Sequence, residues 1–194
     1  MNIDPKSELA KGFVTTVGIV SSRGEHGNNL MAAEWTYLVS YSPAMITVHI
    51  GNRRSKATAE NIAETGVFGV SLAATHQNVI TSIIGNHTGH ETDKIAALEE
   101  LGYHFDVAET TGVLLAKDSV FTAECKLVKI EPIGDHTMFI GEVVAMEEGT
   151  SDDPILYSKK KYWKVGSEVE KPSEEERERF KEVIARHQKN EVSE

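Results

Sequence analysis

A basic segment between His49 and Thr58 is the best candidate for binding an anion, because it contains two arginines, a lysine and two hydroxyl side chains. A helix is predicted to begin at Ser55, and the free N–H groups and dipole of a helix N-terminus attract anions. Arginine adds charge-assisted hydrogen bonds to phosphate oxygens. The segment therefore predicts a phosphate site. The alternative is a solvated loop in which Ser55 only caps the helix.

The stretch from Asn28 to Trp35 has the composition expected where a planar heteroaromatic ring approaches a strand. Small residues beside an aromatic side chain let such a ring come close to the backbone, where main-chain N–H and C=O groups can bind its polar edge. On spacing alone, the pattern favours the alternative, which is a barrel strand with small residues at a tightly packed position.

The sequence Gly134-Asp135-His136 is predicted to form a turn between two strands. An imidazole at this place could donate a hydrogen bond to a phosphate or to a developing negative charge. The alternative is that Asp135 and His136 only shape a hairpin. We take His136 as the candidate catalytic residue.

A polar loop from Asn86 to Lys94 precedes a predicted helix and contains two histidines. His87 and His90, with Glu91 and Asp93 nearby, have side chains that can bind a divalent metal. We interpret the segment as a polar loop and assign no metal ligand, and metal binding stays open as the alternative.

Strands are predicted to outnumber helices. The alternation of Ile46, Val48 and Ile50 with more polar neighbours is typical of a strand with one buried face. The same rule places Glu124 opposite the apolar face of its strand. The predicted strands are Val14–Ser22, Leu30–Ser40, Ala44–Ile50, Val67–Leu72, Val120–Ile130 and Met138–Met146.

The predicted helices are short and lack the regular alternation with strands that marks a doubly wound sheet. They cover Ser55–Thr65, the apolar positions from Val79 to Ile84, Asp93–Leu101, and a charged tail from Ser173 to about Gln188. We therefore expect a mainly β protein, an antiparallel barrel with appended helices. We divide the chain into a domain at 1–168 and a charged C-terminal helical tail at 169–194.

Composition excludes several classes of protein. The formal net charge of −10 argues against binding to nucleic acid or to an anionic membrane surface, since both need clustered basic residues. The polar N-terminal segment predicts no signal peptide. Cys125 is the one cysteine, which rules out an internal disulfide framework. We expect a cytoplasmic protein.

Taken together, these segments resemble the flavin-reductase-like FMN-binding family, which includes flavoredoxins and ferric reductases. The resemblance covers about Lys11 to Gly166. The run from Gly134 to Val143 is its most specific part, because the family repeatedly shows a Gly-Asp-His turn followed by a strand similar to Phe-Ile-Gly-Glu-Val. The other matching segments are Asn29–Trp35, Ser40–Pro43 and Arg53–Ile62.

The resemblance implies a split β-barrel, a homodimer, and FMN bound in a groove near the subunit interface. It implies that Ser55 and Thr58, with Arg53 or Arg54, hold the ribityl chain or phosphate, and that the segment from His49 to Asn52 forms the adjoining wall. His136 would lie near the flavin or the incoming nicotinamide. The residues that would line the flavin ring are Asn29, Leu30, Met31, Ala32 and Ala33. The family often has more hydroxyl groups at these ring positions, so most ring contacts here would be made by the backbone.

The implied activity is that of an oxidoreductase. FMN would accept electrons from NADH, NADPH or a redox partner and pass them to free flavin, ferric iron, or another small-molecule or protein acceptor. One alternative is an electron carrier of the flavoredoxin kind without its own nicotinamide site. Another is a non-redox barrel that binds haem or pyridoxal phosphate.

Overall fold

The computed structural model describes residues 1–4, 7–54 and 56–188. The described strands are β1 (Thr15–Thr16), β2 (Gly18–Ser22), β3 (Asn29–Ala33), β4 (Thr36–Tyr41), β5 (Ala44–Gly51), β6 (Val67–Leu72), β7 (Phe105–Val107), β8 (Leu114–Ala116), β9 (Phe121–Ile133), β10 (His136–Glu148), β11 (Leu156–Ser158) and β12 (Lys161–Trp163). The described α-helices are α1 (Ala57–Thr65), α2 (Asn78–Asn86), α3 (Lys94–Glu100) and α4 (Glu174–Arg186).

One large antiparallel sheet organises the molecule. Its strand order is β3-β2-β6-β9-β10-β5-β4, so β3 and β4 are its two edges. Smaller sheets join β1, β11 and β12, and pair β7 with β8. The predicted mainly β, antiparallel architecture with a few helices is therefore confirmed.

Two apolar clusters hold the helices against the sheet. Val48 and Phe68 belong to the first cluster, which also contains Ile62 from α1. Ile84 from α2 and Leu98 from α3 pack with Leu30 of β3 in the second cluster. All six side chains are almost completely buried. As a result, the start of α1, the end of α2 and the start of α3 are brought beside β3.

Several predicted boundaries needed correction. The segment Leu30–Ser40 was predicted as one strand, but it forms β3 and β4, because the chain turns at Glu34 and Trp35. The first predicted strand is likewise divided into β1 and β2. Helix α1 begins at Ala57 after Lys56 rather than at Ser55, and Ser55 lies outside the described residues.

The side chain of Glu124, predicted to point away from the apolar face of its strand, is buried. Its Oε2 accepts hydrogen bonds from the backbone N–H groups of Thr110 (3.0 Å) and Thr111 (2.7 Å), and from the Thr111 hydroxyl (2.8 Å). The loop before β8 covers this face of β9, so the carboxylate is satisfied inside the protein rather than by water.

The tail helix forms as predicted from its capping box. Ser173 accepts a hydrogen bond from the N–H of Glu176, and the Glu176 carboxylate accepts one from the N–H of Ser173. Helix α4 ends at Arg186 rather than near Gln188, and it has no buried residue. No described helix is long and apolar enough to cross a membrane.

Candidate functional site

A narrow cleft lies beside β3, where α1 begins and α2 ends. Because β3 is an edge strand of the large sheet, its outer edge faces this cleft rather than another strand. The cleft measures about 40 Å³. Its lining residues come from β3, the start of α1 with its N-cap Lys56, α2, the loop after α2 and the first residue of α3, and they are Asn29, Met31, Ala32, Lys56, Ala57, Thr58, Ile84, Gly85, His87, Thr88, Gly89 and Lys94.

Close contacts between separate segments define the cleft walls. The Asn29 amide nitrogen donates a hydrogen bond to the Thr58 hydroxyl over 2.7 Å, and both side chains are buried. A Cβ atom added at Gly89 would collide with the Asn29 amide, so a larger residue at this position would displace the Asn29 side chain. The hydrogen bond and the close approach of Gly89 fix β3, α1 and this loop relative to one another.

The Lys94 side chain is the most unusual feature of the cleft. It is only 3% exposed, although lysine is almost never fully buried unless its charge is paired. Its Nζ donates to the backbone carbonyl of His87 over 3.2 Å. No carboxylate among the described residues forms an ion pair with it.

Burial, and to a smaller extent the nearby charge of Lys56, together lower the pKa of Lys94 to about 8. A buried ammonium beside a second lysine is unfavourable in the empty protein, because desolvation and like charge both oppose the charged form. A negatively charged ligand would remove both penalties. The cleft therefore has the electrostatics of an anion site.

The size of the cleft indicates which part of a ligand it can enclose. On this measure of volume one water molecule needs ~10–15 Å³, so a cleft of about 40 Å³ accommodates a small polar group such as phosphate but not a fused ring system. A larger ligand bound through such a group must extend outward along β3. The partly exposed side chains there are Met31 and Ala32.

The structure brings only part of the predicted ring-binding set to the cleft. Asn29, Met31 and Ala32 line it, whereas Leu30 and Ala33 are buried in the apolar clusters. Since side chains alternate along a strand, a five-residue run of β3 cannot direct every side chain to one ligand. Leu30 and Ala33 can contribute to the site only through their backbone.

The predicted phosphate segment is also divided. Thr58 lines the cleft, but Arg53 and Arg54 are exposed in the preceding turn and do not line it. Asn52 is held at the end of β5, where its N–H donates to the Asp135 carbonyl (2.9 Å) and its side-chain oxygen accepts from the Thr137 hydroxyl (2.8 Å). Ser55, which was predicted to help hold the ribityl chain or phosphate, lies outside the described residues.

His136 and His49 belong to a separate aromatic group beside the β3–β4 turn. The His136 ring lies 4.4 Å from that of Trp35, and its Nδ1 is 2.7 Å from an Asp135 carboxylate oxygen. The hydrogen bond to His136 is the main reason that the pKa of Asp135 is lowered. The pKa of His49 is lowered by burial and by the charge of His136. Neither histidine lines the cleft.

A second, wider cavity of about 500 Å³ lies on the other side of Asn29 and Gly89. Its wall includes His26 and His90, which were not predicted to lie together. The candidate metal ligands predicted in the loop after α2 are not brought together, since His87, Glu91 and Asp93 do not join His90 in a cluster of possible metal ligands among the described residues.

Comparison with known proteins identifies the family. The family model described as the flavin reductase like domain matches residues 10–166. The chain belongs to the flavin reductase-like domain family. The resemblance found in the sequence is therefore confirmed.

Curated relatives and solved structures agree with this assignment. An uncharacterised protein of Archaeoglobus fulgidus is 30% identical over 121 residues, which cover 62% of this chain and 66% of that protein. The NADH-dependent FMN reductase AsuE2 of Streptomyces nodosus subsp. asukaensis is 28% identical over 125 residues, or 64% of each chain. The chain thus matches about two thirds of the length of these two relatives.

The fold of this flavin reductase-like domain is similar to that of a solved Streptomyces globisporus protein. That structure is the NADH:FAD oxidoreductase SgcE6 in complex with NAD and FAD fragments. The TM-score is 0.74 at 21% identity, and the match covers 88% of this chain and 99% of the other. At this identity, the similarity establishes the fold.

Sequence reasoning did not assign Lys56 or Lys94 to the site of this flavin reductase-like domain. Lys56 stood within the basic segment, but the neighbouring arginines appeared better suited to phosphate. The Asp93-Lys94 pair ended a polar loop, and Asp93 accepts the N-cap hydrogen bond of α3 from Ala96. The sequence shows that Asp93 can cap a helix, but it does not show that the side chain of Lys94 is buried.

The lowered pKa of Lys94 predicts a specific pH dependence of stability in the ligand-free protein. The free energy of unfolding should rise with pH between about 8 and ~10.4, because the unfolded chain then binds more protons at this lysine than the folded protein does. The full contribution is on the order of 3 kcal/mol. Replacing Lys94→Met should abolish this rise and leave the protein at least as stable at pH 7.

Urea unfolding of wild type and Lys94→Met at a series of pH values measures this effect. The difference between the two proteins is needed because Cys125 has the opposite effect. Burial raises the pKa of its thiol to about 12, so deprotonation of this thiol in the unfolded chain lowers the free energy of unfolding as the pH rises above about 9. Lys117→Met, at an exposed lysine paired with Asp106 over 3.0 Å, is the control. Parallel pH curves for wild type and Lys94→Met would show that the Lys94 ammonium is not penalised by burial.

Proposed function

We propose that this protein is an oxidoreductase that binds FMN in the cleft beside β3 and transfers electrons from NADH or NADPH to flavin. The observation that carries this proposal is the buried Lys94 ammonium, which has a carbonyl but, among the described residues, no carboxylate as its partner. The names of the curated relatives support it, since several are NADH-dependent flavin or FMN reductases.

The phosphate of FMN would occupy the cleft itself. Lys94 and Lys56 supply the positive charge, and the N-terminus of α1 supplies free N–H groups. The Thr58 hydroxyl accepts from Asn29, so its own O–H remains able to donate. This donor set suits a terminal phosphate, which favours FMN over riboflavin.

The flavin ring would lie outside the cleft along β3. The side chain of Ala32 is small, so a ring can approach the backbone there. The outer edge of β3 offers backbone N–H and C=O groups to the polar edge of the ring. A bound flavin supplies the two-electron chemistry of hydride acceptance. The protein's contribution is to position the ring and to hold its phosphate in a site from which water is largely excluded.

His136 is proposed to contact the nicotinamide donor. Its Nδ1 is held by Asp135 and its ring is packed against Trp35, so the orientation of the imidazole is restricted. Hydride transfer depends on the geometry of the two rings more than on proton transfer. We therefore assign His136 to binding the donor and not to acid–base chemistry.

The final acceptor and the assembly remain proposals. Free flavin is the acceptor that the relatives' names support, and ferric iron or a protein acceptor is a further prediction. A homodimer in a split-barrel arrangement is supported by β4, an edge strand on which Tyr37, Leu38, Val39 and Tyr41 are exposed. A cytoplasmic location stays a prediction.

The phosphate assignment predicts that Lys94→Met weakens FMN binding far more than riboflavin binding. A charge-assisted hydrogen bond contributes about 1.5–3 kcal/mol, so the Kd for FMN should rise by roughly 10–100-fold. Riboflavin has no phosphate, so its Kd should change little. Fluorescence quenching on titration of the apoprotein with each flavin measures both constants.

Matched variants distinguish the two candidate phosphate sites. Lys117→Met should bind FMN like wild type. A double Arg53→Ala/Arg54→Ala variant should lose less FMN affinity than Lys94→Met, and its loss should shrink in high salt because exposed charges are screened. The opposite order of losses would place the phosphate at the arginines.

The activity is tested by anaerobic reduction of the FMN-loaded protein. Stoichiometric NADH or NADPH should bleach the flavin absorbance by direct hydride transfer. His136→Gln should raise the KM for the nicotinamide while kcat changes little. Bleaching by dithionite but by neither nicotinamide would identify an electron carrier instead, and a Soret band with no flavin uptake would indicate haem.

A further inference from the structure

Three side chains from three separate segments converge on one point at the wall of the wider cavity. His26 comes from the turn between β2 and β3, Glu60 from the first turn of α1, and His90 from the loop after α2. Their nearest nitrogen and oxygen atoms all lie within 4.8 Å of one another. No role in flavin binding is assigned to any of them.

The distances within this cluster are close to those of a bound metal. The Nε2 atoms of both histidines point at the same carboxylate oxygen of Glu60, at 2.7 Å for His26 and 3.3 Å for His90. Ligand atoms of a tetrahedral zinc ion, with bonds of ~2.0–2.1 Å, lie ~3.3 Å apart. The cluster would need to open by less than an ångström at His26 to accept an ion.

The chemistry of the donor set also fits a metal. Two imidazoles and one carboxylate are the protein ligands of catalytic zinc sites and of related first-row metal sites. The cavity of about 500 Å³ lies in front of the cluster, so water can complete the coordination. Glu91, Asp93 and Glu99 line the same cavity and give it a negative potential that favours cations.

The ligands are held in place by the surrounding structure. The backbone N–H of His26 donates to the side-chain oxygen of Asn61 (3.2 Å), and the Asn61 amide donates to the Gly27 carbonyl (2.9 Å). Asn61 is completely buried on α1, one residue after Glu60. Backbone hydrogen bonds from Glu91 and Thr92 to the Thr88 carbonyl close the turn that carries His90.

We propose that His26, Glu60 and His90 bind a divalent first-row transition metal ion of the zinc class. The ion ties the β2–β3 turn and the loop after α2 to α1. That loop also supplies Thr88 and Gly89 to the flavin cleft, so the metal stabilises one wall of the cleft without entering it. The site is independent of the proposed function, because none of the three ligands lines the cleft.

Isothermal titration calorimetry tests the proposal, with Zn²⁺ added to tag-free, full-length protein that has been treated with EDTA. Wild type should bind one ion per chain with a Kd at or below ~1 μM. Loss of a residue that only hydrogen-bonds to a metal ligand costs ~10–100-fold in metal affinity. Glu60→Gln and His90→Ala each change a ligand itself, so each should weaken zinc binding by more than this. His90→Cys should retain zinc within about tenfold of wild type, because a thiolate is also a zinc ligand.

His76→Ala is the matched control, because His76 forms an exposed pair with Asp152 (2.9 Å) and belongs to no cluster of possible metal ligands among the described residues. It should bind zinc like wild type. The proposal is overturned by no stoichiometric zinc uptake in wild type, by equal losses in Glu60→Gln and His76→Ala, or by equal losses in the alanine and cysteine variants of His90. Measuring FMN binding by metal-free Glu60→Gln shows whether the flavin cleft is intact independently of zinc. Failure of the metal proposal can therefore be distinguished from failure of the proposed function.

Hydrogen exchange tests the predicted effect on the loop. Zinc should slow hydrogen exchange of the amides around His90 in wild type, and it should leave the exchange of the same amides unchanged in Glu60→Gln. Unchanged exchange in zinc-loaded wild type would contradict a metal that joins the loop to α1.

Discussion

The burial of one ammonium group imposes the main constraint on this molecule. Lys94 lies at the first position of α3, inside the protein, with a backbone carbonyl as its hydrogen-bond partner. Moving a charge out of water is costly unless an opposite charge or several hydrogen bonds replace the solvent. The folded chain tolerates this cost in the absence of a ligand, and an anion bound in the cleft would remove it. Under the proposed function, this arrangement would exchange stability for binding, as functional sites commonly do.

The rest of the fold serves to place this charge. Ile84 and Leu98 anchor α2 and α3 in the same apolar cluster as Leu30, so the two helices approach β3 from one side. Ile62 anchors α1 in the other cluster, on the neighbouring part of the sheet. The cleft is therefore formed where the two cores meet, and its walls are rigid elements except for the loop after α2. The histidine and glutamate cluster on the other side of Gly89 would hold that loop in place.

Local patterns predicted most of the elements but few of the contacts between them. The strand Val67–Leu72 was predicted with its observed bounds, and the capping box at Ser173 located α4, because these signals depend on neighbouring residues. The turn at Glu34 and Trp35 was missed, since neither residue is a typical turn former. Strand alternation placed Glu124 opposite the apolar face but did not show that it is buried, and only the tertiary packing of the loop before β8 explains its burial.

The same limit applies to the site. Arg53 and Arg54 were favoured for phosphate because a sequence displays charge but not burial, and the structure leaves both exposed. Lys94 has the opposite properties: it is a single lysine in a polar loop whose importance depends on what surrounds it. His26, Glu60 and His90 are far apart in the chain, so no spacing rule could have grouped them.

The most direct test of this account is the protonation of Lys94 itself. Heteronuclear NMR of protein labelled with ¹³C at the lysine Cε, with the Lys94 signal assigned from the Lys94→Met variant, follows this titration. The account predicts a midpoint near pH 8 in the apoprotein and a rise of at least ~1 pKa unit when FMN is bound, because a phosphate within reach favours the ammonium. The same midpoint with and without FMN would contradict the claim that Lys94 holds the flavin phosphate.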